Sequence, residues 1–594
     1  MGKLKVRDIM TKQEILDRLS ILPQGGITVK KIKGKNGKEY EYHFLQWREN
    51  GKQKSRALKG DEITIVQSQL EERKRLERLL AFPDAEEKTP ADFNVQIRLG
   101  ASLRSYVAPV KELKKRNGFK DITEYVYGNE YNKVFILYGL RRTGKTTLIK
   151  QVIAEMSDAD FNKAAFIQIT PKDDLATLNK DLKKLEDGGY KYAFIDEVTF
   201  MSDFIEGAAL LSDIYAAVGM KIVLSGTDSL GFWITKSNEL YDRCRLLHTT
   251  FIPYREFANV LDVHGIDNYI QYGGTMSLSG KHYNDSVFAD KKSTDEYVDS
   301  AIAQNIQHSL KAYQYGGHFR HLYSLYEKGE LTSAINRVVE DINHRFAIEV
   351  LERDFKSNDL RLSANNLRKD RFAPTIILDD IDVVAFTKRL KEMLDIKDKD
   401  ERMVKIDEGH VAEIKEYLAA LDLIEEIDVN DIKNANGKEK RIVFSQPGLR
   451  YSQAKSFIES LSSDEVFNDL SAEERKRVIT RILNEIKGRM TEDVILLETQ
   501  KAKPDKNVFK LQFADGEFDM VVNDPDTLET QIYEIKFSTK TVPDQARHLL
   551  DEAKCADTEF RYGKITQKVV LYRGETCKDG DIDYINVEEY LIRL

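Results

Sequence analysis

Cysteine is scarce in this 594-residue chain: Cys244, Cys555 and Cys577 are its three. They stand too far apart for a disulfide framework or a zinc knuckle, which points to a reducing compartment. Proline is also rare, at 11 residues, while 41% of residues are hydrophobic and 32% charged. Collagen-like, mucin-like and wholly disordered chains are thereby excluded. Long apolar runs are missing too. The nearest candidate, Ala208 to Leu224, is interrupted by Asp213 and Lys221 and falls short of the roughly 18 apolar residues of a spanning helix, so no membrane partner is expected. The opening Met-Gly-Lys-Leu-Lys-Val-Arg-Asp turns charged at once, and with no apolar segment behind it a cytoplasmic location is the expectation. Internal repeats are not found, and the ten histidines show no metal-ligand spacing.

What remains is a soluble, helix-rich globular chain, and at about 150 residues per domain roughly four domains are expected. Its charge is uneven. Residues 1–80 carry 19 Lys and Arg against 11 Asp and Glu, a net of +8, so the rest of the chain carries −16 of the total −8. Within this basic front end, Asn36-Gly37 and Asn50-Gly51 are hairpin turn signals, because both central residues of a type I′ turn need positive φ. A three-stranded antiparallel meander and a helix from Asp61 to about Leu80 follow from that reading. Tyr40, Tyr42, Phe44 and Trp47 stand among Lys30, Lys31, Lys33, Arg48, Lys52, Lys54 and Arg56. Rings among cations suit a nucleic-acid-binding sheet; packing of the same rings on the following helix suits the pattern equally. The layout resembles the three-stranded DNA-binding arm domains of phage integrases. A linker, Phe82 to Pro90, and a helix running through Lys115 are expected next.

Val134-Phe-Ile-Leu-Tyr138 is an apolar strand that runs into Gly139-Leu140-Arg141-Arg142-Thr143-Gly144-Lys145-Thr146-Thr147 and then into a helical segment. This is G-x-x-x-x-G-K-T in its strand-loop-helix setting. The glycines let successive amides turn toward phosphate oxygens, and the helix N-terminus adds positive potential. Lys145 is the expected partner of the β- and γ-phosphates, and Thr146 that of Mg²⁺. About 50 residues on, Tyr192-Ala-Phe-Ile-Asp196-Glu197 supplies an apolar strand ending in two acids. Asp196 would complete the Mg²⁺ shell and Glu197 would orient and polarise the attacking water. That pairing predicts an additional-strand ATPase, and the lack of a guanine-reading N-K-x-D favours ATP. Ser225 and Thr227, ending the next apolar strand, are alternative γ-phosphate sensors or simple turn residues. Arg243 and Arg245 are alternative cationic fingers or sensors, or ordinary surface arginines.

Further on, helices between Glu330 and Ile458, including Gly409 to Leu421, end in the strand pair Leu423 to Val429 and Arg441 to Phe444. Helices followed by a hairpin read as a winged helix. With Glu413, Glu416, Glu425 and Glu426 close by, it faces either DNA or a protein.

The last region carries a second constellation. Val508 to Phe513 and Glu517 to Val522 read as a hairpin, and Gln531 to Phe537 as a third strand. Strand alternation puts Glu534 and Lys536 on one face, and the D-x(14)-E-x-K spacing brings Asp519 beside them. Asp519 and Glu534 would bind Mg²⁺ while Lys536 positions or activates the attacking water; a cross-strand ion pair is the plainer alternative.

Together these motifs resemble the prokaryotic AAA-type ATPases that join a P-loop domain, a helical lid, a winged-helix segment and a C-terminal PD-(D/E)xK restriction-endonuclease-like domain. The resemblance rests on the P-loop, Ile195-Asp196-Glu197, Ser225-Gly226-Thr227, Arg245 with Ile252-Pro253-Tyr254-Arg-Glu-Phe257, Tyr272-Gly273-Gly274-Thr275 and Arg441 to Arg450. It covers residues 122–594 and departs from the family at Asp228 and Gln446. It implies a multidomain α/β chain: a basic meander and helix over 1–80, linker and helix over 81–121, ATPase core over 122–257, helical lid over 258–329, winged-helix-like segment over 330–465 and nuclease-like domain over 466–594. It also implies Glu492 as a further metal ligand and Gln545 facing the same pocket. The expected function is an ATP- and Mg²⁺-dependent protein that binds nucleic acid, DNA rather than RNA, and whose ATPase gates a nuclease, with homo-oligomers possible. A nucleotide-dependent switch or scaffold with a non-cleaving nuclease-like domain is the alternative.

Overall fold

The computed structural model describes residues 18–33, 39–49, 52–60, 62–81, 93–201, 203–204, 208–227, 242–276, 288–312, 319–356, 406–433, 439–461 and 471–594. Two compact units emerge, one of residues 1–92 and 98–108, the other of residues 93–97 and 109–594.

In the first unit β1 (Gly26–Lys33), β2 (Glu39–Glu49) and β3 (Lys52–Leu58) form an antiparallel sheet in that order, followed by α1 (Glu62–Ala81). Leu45 and Leu58 are buried against Val66 and Leu70 of α1, with Ile27, Trp47 and Ile63 packed around them. Trp47 therefore belongs to the module's own core. Phe44, one residue from Leu45, projects from the opposite face of β2 and is half-buried. Both Asn-Gly turns, the linker from Phe82 to Pro90 and the side chains of Lys30, Lys31, Lys33, Tyr40, Tyr42, Arg48 and Lys52 lie outside the described residues.

The second unit contains two sheets. The first has the order β4 (Gln96–Arg98), β6 (Ala164–Gln168), β7 (Tyr192–Asp196), β8 (Lys221–Gly226), β5 (Val134–Tyr138), β9 (Cys244–His248). Neighbours from β6 through β9 are parallel. Parallel strands covered on both faces need continuous apolar runs, and β5 to β8 supply them. Crucially, β8 lies between the P-loop strand β5 and the Asp-Glu strand β7, the additional-strand arrangement. Helices α2 (Gly118–Tyr127) and α3 (Lys145–Ala154) flank this sheet. The helix expected to run through Lys115 ends earlier, as Gly100–Val107 and a 3₁₀ turn, Ala108–Val110.

Further helices follow: α4 (Tyr254–Leu261), α5 (Ile266–Tyr272), α6 (Gln304–Ala312), α7 (Arg320–Glu327), α8 (Leu331–Lys356), α9 (Glu408–Ala420), α10 (Pro447–Leu461) and α11 (Ala472–Ala502). The second sheet has eight strands, in the order β11 (Glu439–Phe444), β10 (Ile424–Asp431), β12 (Asn507–Gln512), β13 (Glu517–Asp524), β14 (Glu529–Ile535), β15 (Lys564–Tyr572), β17 (Ile582–Asn586), β16 (Cys577–Asp579). Helices α12 (Glu552–Tyr562) and α13 (Val587–Arg593) complete it.

This sheet corrects the expected boundary at residue 465. The hairpin read as part of a winged helix joins the C-terminal strands through a parallel β10–β12 ladder, Val429 opposite Lys510. A hairpin with an unpaired edge offers its backbone groups to any strand of matching register, and β12 takes them. The expected lid at 258–329 also divides. Ile266, Tyr269 and Ile270 of α5 share a core with Ile486 and Met490 of α11 and Tyr533 of β14. Residues 288–342, by contrast, pack with α9 in a second core. No described helix is long and apolar enough to cross a membrane.

Candidate functional site

The P-loop curls between β5 and α3. Gly139 has φ 146° and Gly144 φ 86°, backbone states that L side chains rarely adopt. A Cβ at Gly139 would lie 2.5 Å from the Thr249 hydroxyl and 2.9 Å from the Thr250 nitrogen, so the close approach also requires glycine. The Lys145 ammonium donates to the carbonyls of Gly139 (2.8 Å) and Leu140 (2.9 Å). Burial pushes its pKa down to about 8, against the pull of Glu197 and Asp196. Arg141 and Arg142 are exposed, whereas Thr143 is buried and Thr146 and Thr147 are half-buried.

Asp196 sits between two hydroxyls. Thr146 donates to its Oδ2 at 2.9 Å, and Ser225 donates to its Oδ1. A hydroxyl from the loop helix beside a carboxylate from the end of β7 is a donor set that suits Mg²⁺, so these residues fit the ion. Glu197 follows in the left-handed region at φ 59°, a conformation that costs a non-glycine residue about 1–3 kcal/mol and persists where surrounding structure over-determines it. Burial raises the Glu197 pKa. Its carboxylate accepts the Thr227 hydroxyl at 3.2 Å, and the Thr227 carbonyl accepts from Asn305 of α6 at 2.7 Å. Ser225 thus meets Asp196 and Thr227 meets Glu197.

Arg245 is not among them. Its guanidinium faces Asp121, Glu124 and Glu130 at 3.4–3.7 Å, three positions before the strand end that adjoins the loop. Arg243 faces Asp213 at 3.4 Å. A different arginine, unmarked by any motif, supports the loop. Buried Arg116 donates to the Thr143 carbonyl at 2.6 Å and to Glu256 at 2.7 Å. Leu140, fully buried, belongs to the helical core that also contains Ile302, Leu322 and Leu418. Met276 donates its amide to the Arg142 carbonyl at 2.7 Å.

The second cluster lies in the eight-stranded sheet. Asp519 Oδ2 accepts the Ile535 amide at 2.9 Å and lies 3.3 Å from Lys536 Nζ, which also donates to Glu534. Burial works against the charge on Asp519, yet Lys536, Lys510 and the Ile535 amide hold its carboxyl well below the usual carboxylate range. Burial and then Asp519 push Glu534 up to about 8. Lys536 is raised by Asp519 and Glu534 although burial opposes it. Oε1 of Glu534 is buried with no hydrogen-bond partner. A buried carboxylate oxygen without a partner is costly, and a divalent ion would satisfy it, so Asp519 and Glu534 fit Mg²⁺.

Glu492 of α11 faces two cations unmarked by any motif. It pairs with Arg489 and lies 3.2 Å from Lys510 Nζ. Lys510, 1% exposed, also reaches Glu517 at 2.8 Å and Asp519 at 3.5 Å. Glu492 thus meets Asp519 through a lysine. Gln545 does not face this cluster: its amide donates to Ser538 Oγ at 2.7 Å and to the Lys540 carbonyl at 3.0 Å. The expected helix there is a single 3₁₀ turn, Pro543–Ala546.

Residues 131–258 match a protein family described as an AAA domain. The nucleotide-handling region therefore has an AAA-type P-loop ATPase fold. No curated protein matches the sequence. Among solved structures, the chain is similar to Saccharomyces cerevisiae Hsp104 in its casein complex, with 16% identity and TM-score 0.21, over 27% of this chain and 31% of that one. It is similar to the Hsp104–ADP complex with 14% identity and TM-score 0.23, over 64% and 50%. Aeropyrum pernix ORC1 bound to DNA shows 14% identity and TM-score 0.21, over 61% of this chain and 98% of that one. The chain spans about a third to a half of the Hsp104 chains that it matches.

Proposed function

We propose that this chain is an ATP-hydrolysing protein that binds nucleic acid, DNA rather than RNA, and carries a Mg²⁺-dependent endonuclease site gated by the ATPase. The observation that carries this reading is the coexistence of two separate carboxylate-and-lysine pockets. One pairs Lys145 with Asp196 and Glu197; the other pairs Lys536 with Asp519 and Glu534.

In the first, Lys145, held by the carbonyls of Gly139 and Leu140, would meet the β- and γ-phosphates, and Thr146 and Asp196 would hold Mg²⁺. Glu197 takes the proton of the attacking water, its raised pKa bringing it closer to neutrality as a base. In the second, Asp519 and Glu534 would hold Mg²⁺, which would polarise the phosphodiester and lower the pKa of bound water. Lys536 orients the nucleophile, and the Ile535 amide keeps Asp519 in place. A cavity of about 540 Å³ reaches Lys510 and Arg489 beside this cluster and is lined by Arg337, Arg345, Lys415 and Arg441, against Asp341, Glu349 and Glu439. A phosphate backbone rewards that excess of cations.

Coupling is supported by one contiguous chain of contacts. Tyr138, which ends the P-loop strand, stacks on His248 at 4.4 Å; His248 lies 3.6 Å from Asp422; Asp422 pairs with Lys501 of α11 at 2.8 Å. Glu492 lies nine residues earlier on that helix, about 13 Å away at 1.5 Å per residue.

A second reading is favoured by Lys510. With an ammonium between Glu492 and Asp519, the domain would bind DNA or a protein partner without cutting, and the chain would be a nucleotide-dependent switch or scaffold. Incubation of purified protein with duplex and single-stranded DNA and Mg²⁺, with and without ATP, decides between them. Cleavage that ATP modulates supports the first reading; nucleotide-sensitive binding with intact DNA under every divalent ion leaves the switch.

A further inference from the structure

We propose that His321, Asp407 and His410 form a binding site for a borderline transition-metal ion, Zn²⁺ by preference, that clips the start of α7 to the start of α9. The inference is independent of both carboxylate-lysine pockets. Sequence spacing hides it, because 86 residues separate His321 from Asp407; the fold brings their ligand atoms, with those of His410, within 4.8 Å of one another.

The geometry is built from both helices. Asp407 is the N-cap of α9 and accepts the His410 amide at 3.0 Å. The His410 Nδ1 lies 2.6 Å from Asp407 Oδ1, and the His321 Nδ1 lies 3.8 Å from that oxygen. The two imidazoles stand edge to face, 5.0 Å between centroids. Gly409 makes the approach possible: a Cβ there would lie 2.7 Å from the His321 ring. Glu413, one turn further along α9, accepts the Leu322 amide at 3.0 Å and so fixes the first turn of α7 against α9.

Two imidazoles and one carboxylate are a set that Zn²⁺ takes at about 2.0–2.2 Å, with water as a fourth ligand. Mg²⁺ and Ca²⁺ prefer all-oxygen sets. His321 and Asp407 are largely exposed, so small side-chain rotations can close the remaining distance. The plainer account is a capping box between Asp407 and His410 alone, which has no need of His321 or of a glycine at 409.

The test uses the full chain carrying D519A and E534Q, so that zinc at the sheet carboxylates is not counted. After EDTA treatment and its removal, ZnCl₂ is titrated by calorimetry and thermal melting, and Co²⁺ serves as a spectroscopic substitute. One equivalent should bind, with a rise in Tm and the d–d absorption of a low-coordinate nitrogen–oxygen site. His321→Ala, which leaves the cap intact, should weaken binding at least about tenfold and abolish the spectrum. Asp407→Asn, which preserves capping, and Gly409→Ala should both weaken it. Absence of zinc binding in the parent, or unchanged stoichiometry and affinity in H321A, overturns the proposal.

Discussion

Lys536 and Asp519 meet across the central strands of the eight-stranded sheet, 3.3 Å apart, on the carboxylate oxygen that also takes the Ile535 amide. Removal of either member should therefore act on this cluster and leave intact the P-loop, which shares none of its residues. We expect K536A and D519A to lose Mg²⁺-dependent cleavage by about 10²–10⁴-fold while ATP turnover stays near the parent rate. Wild-type cleavage by K536A would sink this assignment.

The pH dependence of that cluster has a definite sign. Glu534, pushed up to about 8, keeps its proton at neutral pH, whereas a metal requires the carboxylate. Mg²⁺ affinity and cleavage should both increase as pH rises through about 8, with protons released on binding. The native state also holds a proton that the unfolded chain sheds above the ordinary carboxylate range, so without metal this group's contribution to stability declines toward alkaline pH. Calorimetric titration in two buffers of different ionisation heat measures the release, and a value of zero at pH 7 contradicts the account.

In the P-loop, K145A should lower ATP turnover at least about 10²-fold, the scale of losing a preorganised electrostatic contact in the transition state. Glu197→Gln should behave differently, retaining nucleotide binding and losing hydrolysis. Fluorescent-nucleotide binding beside phosphate release separates the two; equal loss of binding in both variants contradicts the role given to Glu197.

Leu140 joins the loop to the helical layer. Its side chain is fully buried and belongs to the core that also holds residues of α7 and α9, so L140A should cost about 2–5 kcal/mol through lost burial and a cavity. Hydrogen exchange should report faster opening of α7 and α9. Protection unchanged in those helices would mean that the loop and the layer are not mechanically joined.

Burial pushes His248 down from 6.5 to about 4. The folded chain therefore holds the ring neutral where the unfolded chain binds a proton, and stability should fall as pH drops from 6.5 toward 4. His248→Phe keeps a ring against Tyr138 and should flatten that part of the Tm–pH curve; an unaltered slope would assign the acid sensitivity elsewhere.

Motifs whose chemistry depends on neighbours in the chain were legible. Gly139, Gly144, Lys145 and Thr146 lie within one loop, and Asp196-Glu197 end one apolar strand. Strand alternation correctly brought Glu534 and Lys536 together. Arg116, Lys510, Arg489 and the His321–His410 pair carried no such signal, because their partners are distant in sequence. For Arg245 the sequence left finger, sensor and surface arginine open, and the tertiary structure sets its guanidinium beside the acids of α2.

By itself, then, the sequence determined where phosphate-turning backbone, buried parallel strands and the D-x(14)-E-x-K carboxylates stand, since local sterics and side-chain periodicity specify them. The tertiary structure decided that β10 pairs with β12, that Leu140 enters a helical core, and that Lys510 stands between Glu492 and Asp519. Strand edges, apolar faces and buried charges are satisfied by whichever complementary surface the whole chain brings within reach, and no local pattern encodes that choice.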